Sequence, residues 1–253
     1  MLVGHTLTAM LRGGVWRNPN NWLPLQAVLY IDEALDNFIH AFQKAVSATK
    51  AEDLQGVARL AAMWTTAEPH LHRHLVRHKN AVLFPALNEV VGGVADSFTG
   101  LNMRSADRVV RAHNAVQALL DATTPETRAA ALDTLRNATS TWFTELSAQL
   151  TREHQVLYPV AEKLMTLQVH KALLKHMWDA QEWAALVPWT LRHLPTKDRR
   201  LRMLRALQWA MPERTQQIGL YIVRDVDAVM WADLTRDMPA LIPRGMPGWS
   251  QYL

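Results

Sequence analysis

The chain has 253 residues, of which 49% are hydrophobic and 20% charged, with a net charge of +4 and no cysteine. This composition excludes a disordered chain, disulfides, thiolate metal sites, iron–sulfur clusters and cysteine nucleophiles. Basic residues cluster only at 197–205, no apolar run has the length of a membrane span, and the first residues lack signal-peptide features. We therefore expect a cytoplasmic or nuclear protein that binds neither nucleic acid nor membrane.

Residues 1–21 form a lead-in rich in glycine, proline and asparagine. A first helix is predicted from about Trp22 to Ala48, because apolar residues recur there at spacings of four and three. A second helix is predicted from about Ala51 to Val90 on the same pattern. Pro69 is expected to kink it, and Pro85 to loosen its last turns, because proline lacks the backbone donor.

Two more long helices follow. The third is predicted from about Leu101 to Ala122, and the fourth begins at Thr124–Pro125 and runs to about residue 168. One possible inner face of the third comprises Met103, Ala106, Val110, His113, Gln117 and Leu120. The stripe assigned to the fourth comprises Trp142, Leu146, Gln149, Glu153, Val156 and Val160. Since no segment alternates like a strand, the sequence predicts an all-α, up-down four-helix bundle at residues 22–168.

A helical extension is predicted at residues 169–238, with helices at about 168–194, 197–210 and 213–236 separated by Pro195 and Pro212. Its segments are short and rich in tryptophan. We therefore expect it to pack on the bundle instead of forming an independent core. Residues 239–253 are predicted to be an irregular tail.

Three ionisable side chains fall on the predicted core stripes: Asp32, His78 and Glu153. At 1.5 Å per residue they lie roughly 15, 18 and 20 Å from one end of the bundle, and therefore in about one layer. His113 reaches a similar depth if it faces inward. Facing helices hold iron, manganese or zinc through such side chains, and the alternative is a metal-free hydrogen-bonded cluster.

His70, His74 and His78 form a ladder at spacings of four, which is a spacing that can share a metal ion. Beside Arg73, Arg77 and Lys79, the ladder is also what a solvated basic helix surface would look like. For His70, His72 and His74 we favour the solvated surface. For His78 both interpretations stay open, because the stripe points it inward.

The chain resembles the hemerythrin-like domains of the plant and algal BRUTUS-type iron-sensing ubiquitin ligases, from about Leu25 to about Met211. The resemblance lies in AVLFPALNEV at the end of the second helix, QLTREHQVLYP in the fourth, and LVPWTLRHL with LQWAMPER after the bundle. Members of this family bind two irons through His and carboxylate ligands. The resemblance therefore implies a hemerythrin-like bundle and a role in iron homeostasis.

Most of the family's ligands are replaced here. By the resemblance, the family's first-helix His is replaced by Asp32, and its second-helix His and Glu are replaced by Leu75 and Lys79. Its third-helix His falls near Met103, and its fourth-helix His is replaced by Gln149. The fourth-helix Glu is kept as Glu153. A shift by one residue would instead put His74 and His78 at the second-helix positions. The implied outcome is a degenerate site of Asp32, His74, His78, His113 and Glu153 that holds either one iron or zinc ion or no metal.

Three functions follow as hypotheses. The first is a regulatory or scaffold domain, metal-binding or metal-free, with an unidentified protein partner and no catalytic residues. The second is a non-heme iron oxygen-binding protein or oxidase on the same bundle, which the loss of ligands disfavours. The third is a helical partner-binding module that uses the basic segment TKDRRLRMLRALQWAM.

Overall fold

The computed structural model describes residues 23–245, and the regular secondary structure of this range is entirely helical. The all-α prediction is therefore confirmed for the described range. The lead-in at residues 1–21 and the last part of the tail, residues 246–253, lie outside it. None of the described helices combines the length and apolar character that crossing a membrane requires.

The first half of the described chain contains α1 (Gln26–Ala48), α2 (Leu54–Arg73), a π-helix (His74–Leu83), α3 (Phe84–Val90), α4 (Asp96–Asp121) and α5 (Pro125–Leu164). The second half contains α6 (Leu167–Met177), α7 (Ala180–His193), α8 (Lys197–Ala210), α9 (Thr215–Asp225) and α10 (Ala228–Asp237), with 3₁₀ turns at Pro212–Arg214 and Pro239–Leu241. Two helices predicted as continuous, 168–194 and 213–236, are each divided by an aspartate. The carboxylates of Asp179 and Asp227 accept backbone N–H groups and so start α7 and α10.

The predicted second helix is helical from residue 54 to residue 90, but its middle is a π-helix of ten residues. Its last bond runs from the backbone N–H of Phe84 to the carbonyl of Lys79, five residues earlier. Pro85 follows directly. Because proline cannot donate to the carbonyl four residues back and its ring crowds that carbonyl, a wider turn ahead of Pro85 suits the sequence. The structure therefore has a π-helix between the two prolines at which a kink and a loosening are predicted.

The described part of the chain divides into two compact units, which we call the central unit (residues 35–159) and the terminal unit (residues 23–34 and 160–245). The division falls inside α1 and α5, whereas the sequence suggested a boundary near residue 168. Each unit is described by itself below.

An aromatic core joins three helices of the central unit. The ring of Phe42 on α1 lies 5.4 Å from Trp64 on α2 and 6.0 Å from Phe143 on α5. Trp64 in turn lies 6.3 Å from Trp142 on α5. These rings are buried and tilted or edge-on to one another, which is the favourable geometry for aromatic pairs.

Helix α4 completes the central unit by packing against α2 and the π-helix. Its predicted inner face is wrong except at Ala106: Met103, Val110 and Leu120 are 50%, 54% and 48% exposed. The buried face is shifted by about one residue and consists of Phe98, Asn102, Ser105, Ala106, Val109, Ala112, Ala115, Val116 and Leu119.

The inner stripe of α5 agrees with the prediction as far as Glu153. Trp142, Leu146, Gln149 and Glu153 are buried, and the buried positions then continue at Leu157 and Ala161. The predicted Val156 is 43% exposed, because the stripe advances by four residues after Glu153 and not by three.

The terminal unit buries Trp183, Trp189 and Trp231, each at most 2% exposed. The basic helix α8 buries its apolar side here, including Leu204 and Leu207. Its charged side is paired locally, for example Lys197 with Asp237 at 2.8 Å. Only the charged side of this segment is therefore left for another molecule.

Candidate functional site

A buried ion pair lies inside the central unit. The ammonium nitrogen Nζ of Lys79, on the π-helix, lies 2.5 Å from Oε2 of Glu153, on α5. The side chains are 0% and 1% exposed. A buried carboxylate or ammonium costs several kcal/mol unless it is paired and hydrogen-bonded, and here each ion supplies the other's counter-charge.

The other oxygen of Glu153 is also satisfied. The side-chain amide of Gln149, one turn earlier on α5, donates to Oε1 of Glu153 at 2.6 Å. The same amide nitrogen donates to Oδ1 of Asn102 on α4 at 2.5 Å. Because both hydrogens of the Gln149 amide are used, this residue connects the ion pair to α4.

Asn102 extends the network back to the π-helix. It is fully buried, and its amide donates to the backbone carbonyl of Leu75 at 3.3 Å and to Oδ1 of Asn80 at 3.0 Å. The Asn80 amide donates to the carbonyl of Thr99 at 3.2 Å. These hydrogen bonds link the π-helix, α4 and α5, and in each of them one donor group meets one acceptor group.

Two histidines of the ladder form a second buried pair. The Nδ1 atoms of His74 and His78 lie 3.2 Å apart, and the side chains are 0% and 1% exposed. One of these two nitrogens must carry the hydrogen and the other must accept it. His70 is also buried, at 6%. The solvated-surface interpretation is therefore wrong for His70, His74 and Lys79, and right for His72, Arg73 and Arg77, which are exposed.

Asp32 and His113 are the other two predicted site residues. Asp32 is fully buried on α1, in the part of that helix that belongs to the terminal unit. His113 is 40% exposed on α4, and its Nδ1 lies 3.6 Å from a carboxylate oxygen of Glu68 on α2. The inward orientation considered for His113 is therefore not observed. Among residues 23–245, no three His, Asp or Glu side chains are grouped so that they could hold a metal ion.

Lys79 is the site residue that sequence reasoning placed on the surface. A signal was present: Lys79 follows Leu71 and Leu75 at steps of four, on the stripe that faces the core. The π-helix explains why both alternative registers of this segment are buried. Its i→i+5 bonding puts more residues into each turn, so that Leu75 with Lys79 and His74 with His78 all turn inward.

No family of known proteins, no curated protein and no solved structure matches this chain.

Proposed function

We propose that the chain is a hemerythrin-like four-helix domain with a regulatory or scaffold role, related to iron-sensing proteins, in which the Lys79 ammonium takes the place of a metal cation. The observation that carries this proposal is the 2.5 Å contact between Lys79 Nζ and Glu153 Oε2. Glu153 is the carboxylate that the resemblance retains, and Lys79 stands at the position of a lost one. An ammonium there neutralises Glu153 from within the chain.

The contacts in the central unit support a four-helix arrangement. Aromatic contacts connect α1 with α2 and α5, and Trp64 connects α2 with α5. Helix α4 packs against α2, and Asn102 bonds to Gln149 on α5. Each helix therefore contacts at least one neighbour on each side in the order α1, α2, α4, α5, as in a closed bundle.

The chemistry around Glu153 favours a structural role over oxygen chemistry. Iron that reacts with oxygen needs several ligands and an open coordination position. Here one oxygen of Glu153 accepts from an ammonium and the other from an amide. A divalent ion at Glu153 would have to displace the ammonium or tolerate its repulsion at short range.

Metal titration of the purified full chain tests the proposal. After treatment with a chelator, the protein is titrated with Fe²⁺ or Zn²⁺, and bound metal and melting temperature are measured together. We expect no stoichiometric metal and no saturable rise in melting temperature, because a ligand raises stability only by binding the folded state.

The Glu153→Gln variant provides the comparison. Saturable metal stabilisation in the natural chain that is lost in Glu153→Gln would contradict the proposal. Two irons per chain with the absorption of an oxo-bridged pair would instead support the oxygen-binding alternative.

A further inference from the structure

An open groove of about 340 Å³ lies between the last turns of α1 and the first half of α5, within the central unit. It is lined by Gln43, Lys44, Val46, Ser47, Arg136, Thr139 and Ser140. Its volume is at the lower end of the range for small-molecule sites. Val46 is the one aliphatic hydrophobic side chain in this lining, and the other six residues are polar or charged.

The lining contains two cationic side chains and no carboxylate. Within the described range, Lys44 forms no ion pair, and the hydroxyl groups of Ser47 and Ser140 form no hydrogen bond. Lys44, Ser47 and Ser140 are exposed. The groove therefore presents an ammonium and two hydroxyls whose donors are available to a ligand.

Arg136 is held in place but can still change one partner. Its NH2 group donates to the backbone carbonyl of Thr49 at 3.0 Å, which fixes the side chain at the end of α1. Its NH1 group contacts Asp133 at 2.7 Å, and this carboxylate is 68% exposed. An exposed pair of this kind contributes little to stability, so a ligand anion can replace Asp133 without disturbing the bond to Thr49.

The carbonyl groups at the end of α1 would repel an anion if they were unsatisfied. The carbonyl of Ala45 accepts from both the backbone N–H and the hydroxyl of Thr49, at 3.0 and 2.8 Å. The carbonyl of Thr49 accepts from Arg136. The carbonyls of Ala45 and Thr49 are therefore satisfied within the chain.

We propose that this groove binds a small organic phosphate, with Lys44 and Arg136 on the phosphate oxygens and Ser47, Ser140 and Gln43 on hydroxyl groups of the ligand. Phosphate recognition by a guanidinium with an ammonium nearby follows the ordinary chemistry of these groups. The lining of the groove shares no residue with the buried pair of Lys79 and Glu153.

The test is a nuclear magnetic resonance titration of the full chain with glycerol 3-phosphate, inorganic phosphate and glycerol at constant ionic strength. We expect saturable shifts at the backbone amides of residues 43–47 and 136–140 with glycerol 3-phosphate. Inorganic phosphate should shift the same amides more weakly, and glycerol should not. A response to inorganic phosphate equal to that of glycerol 3-phosphate would remove the organic part of the proposal.

Two variants with the same change in charge separate a site from general attraction to a basic protein. Lys44→Gln should weaken glycerol 3-phosphate binding about tenfold, which is the size of one lost charged hydrogen bond. Lys163→Gln, at an exposed lysine in the last turn of α5 outside the groove, should change it less than about twofold. Equal effects of both variants, or shifts spread over the whole chain, would overturn the proposal.

Discussion

Lys79 on the π-helix and Glu153 on α5 form a salt bridge of 2.5 Å with both side chains out of solvent. A pair of this kind constrains the fold in an asymmetric way. Replacing both ions by apolar groups of similar volume is often neutral or stabilising, whereas removing one leaves the other buried and uncompensated. The central unit therefore tolerates the loss of the pair better than the loss of either member.

We predict that Lys79→Met lowers the free energy of unfolding at pH 7 by about 3–5 kcal/mol, because the Glu153 carboxylate loses its counter-ion. Glu153→Leu should cost a similar amount, since it leaves the ammonium buried. The double variant Lys79→Met, Glu153→Leu should lie within about 1–2 kcal/mol of the natural chain. Urea unfolding of all four proteins measures this coupling, and additive losses in the double variant would show that the pair is not coupled.

The sequence predicted the class of the fold and several helix ends, because helix periodicity and caps are local signals. The end of α1 at Ala48, the start of α5 at Pro125 and the whole of α8 at Lys197–Ala210 agree with the structure. Helix periodicity did not predict which face of α4 is buried. Its two adjacent stripes both mix apolar with polar residues, and which of them is buried depends on the packing of neighbouring helices, which is a tertiary effect.

The candidate site was predicted in part. Burial of Asp32, His78, Gln149 and Glu153 and the bond from Gln149 to Glu153 were within reach of the stripe analysis. The burial of Lys79 could not be predicted in this way, because a lysine beside two arginines usually lies in solvent. The π-helix changes which residues face inward, and its backbone also bonds to residues far apart in the sequence, as in the bond from Asn102 to Leu75.

We predict that Asn102→Leu destabilises the central unit by about 1–3 kcal/mol and opens the π-helix locally. The Leu75 carbonyl and the Gln149 amide would each lose a partner inside the protein. Hydrogen exchange should become faster at the backbone amides of residues 75–84 than elsewhere in the unit. Asn114→Leu, at an exposed position on the same helix, should leave this exchange unchanged; equal protection in both variants would contradict the assigned role of Asn102.

A histidine of the terminal unit should make stability depend on pH. His170 on α6 is 1% exposed, and burial lowers its pKa from 6.5 to about 4. Its Nε2 lies 3.1 Å from the carbonyl of Ala161 near the end of α5, while its Nδ1 has no hydrogen-bond partner within the described range. The neutral form is thus the one that the folded chain accommodates.

The sign follows from proton uptake. Between pH 6.5 and about 4 the unfolded chain binds a proton at His170 and the folded chain does not, so stability falls as the pH falls through this range. The free energy of unfolding has fallen by about 3 kcal/mol when the pH reaches about 4. We predict that His170→Leu removes this part of the pH dependence in urea unfolding. His176→Leu, at an exposed histidine of the same helix, should retain it; identical pH profiles for both variants would refute the assignment.

Glycine substitutions at two helical positions should have opposite effects. A Cβ atom at Gly219 on α9 would lie 1.8 Å from the carbonyl oxygen of Leu241 and 2.8 Å from its carbonyl carbon, so the 3₁₀ turn at Pro239–Leu241 would have to move. We predict that Gly219→Ala lowers the free energy of unfolding by about 1–3 kcal/mol through overpacking.

At Gly100 on α4 the nearest atom is the flexible end of Arg104, 3.6 Å away. Gly100→Ala should therefore raise the free energy of unfolding by about 0.5–1 kcal/mol, because alanine loses less backbone entropy in a helix. Thermal and urea unfolding of the two variants measure both signs, and a Gly219→Ala protein as stable as Gly100→Ala would mean that α9 and the turn do not pack this closely.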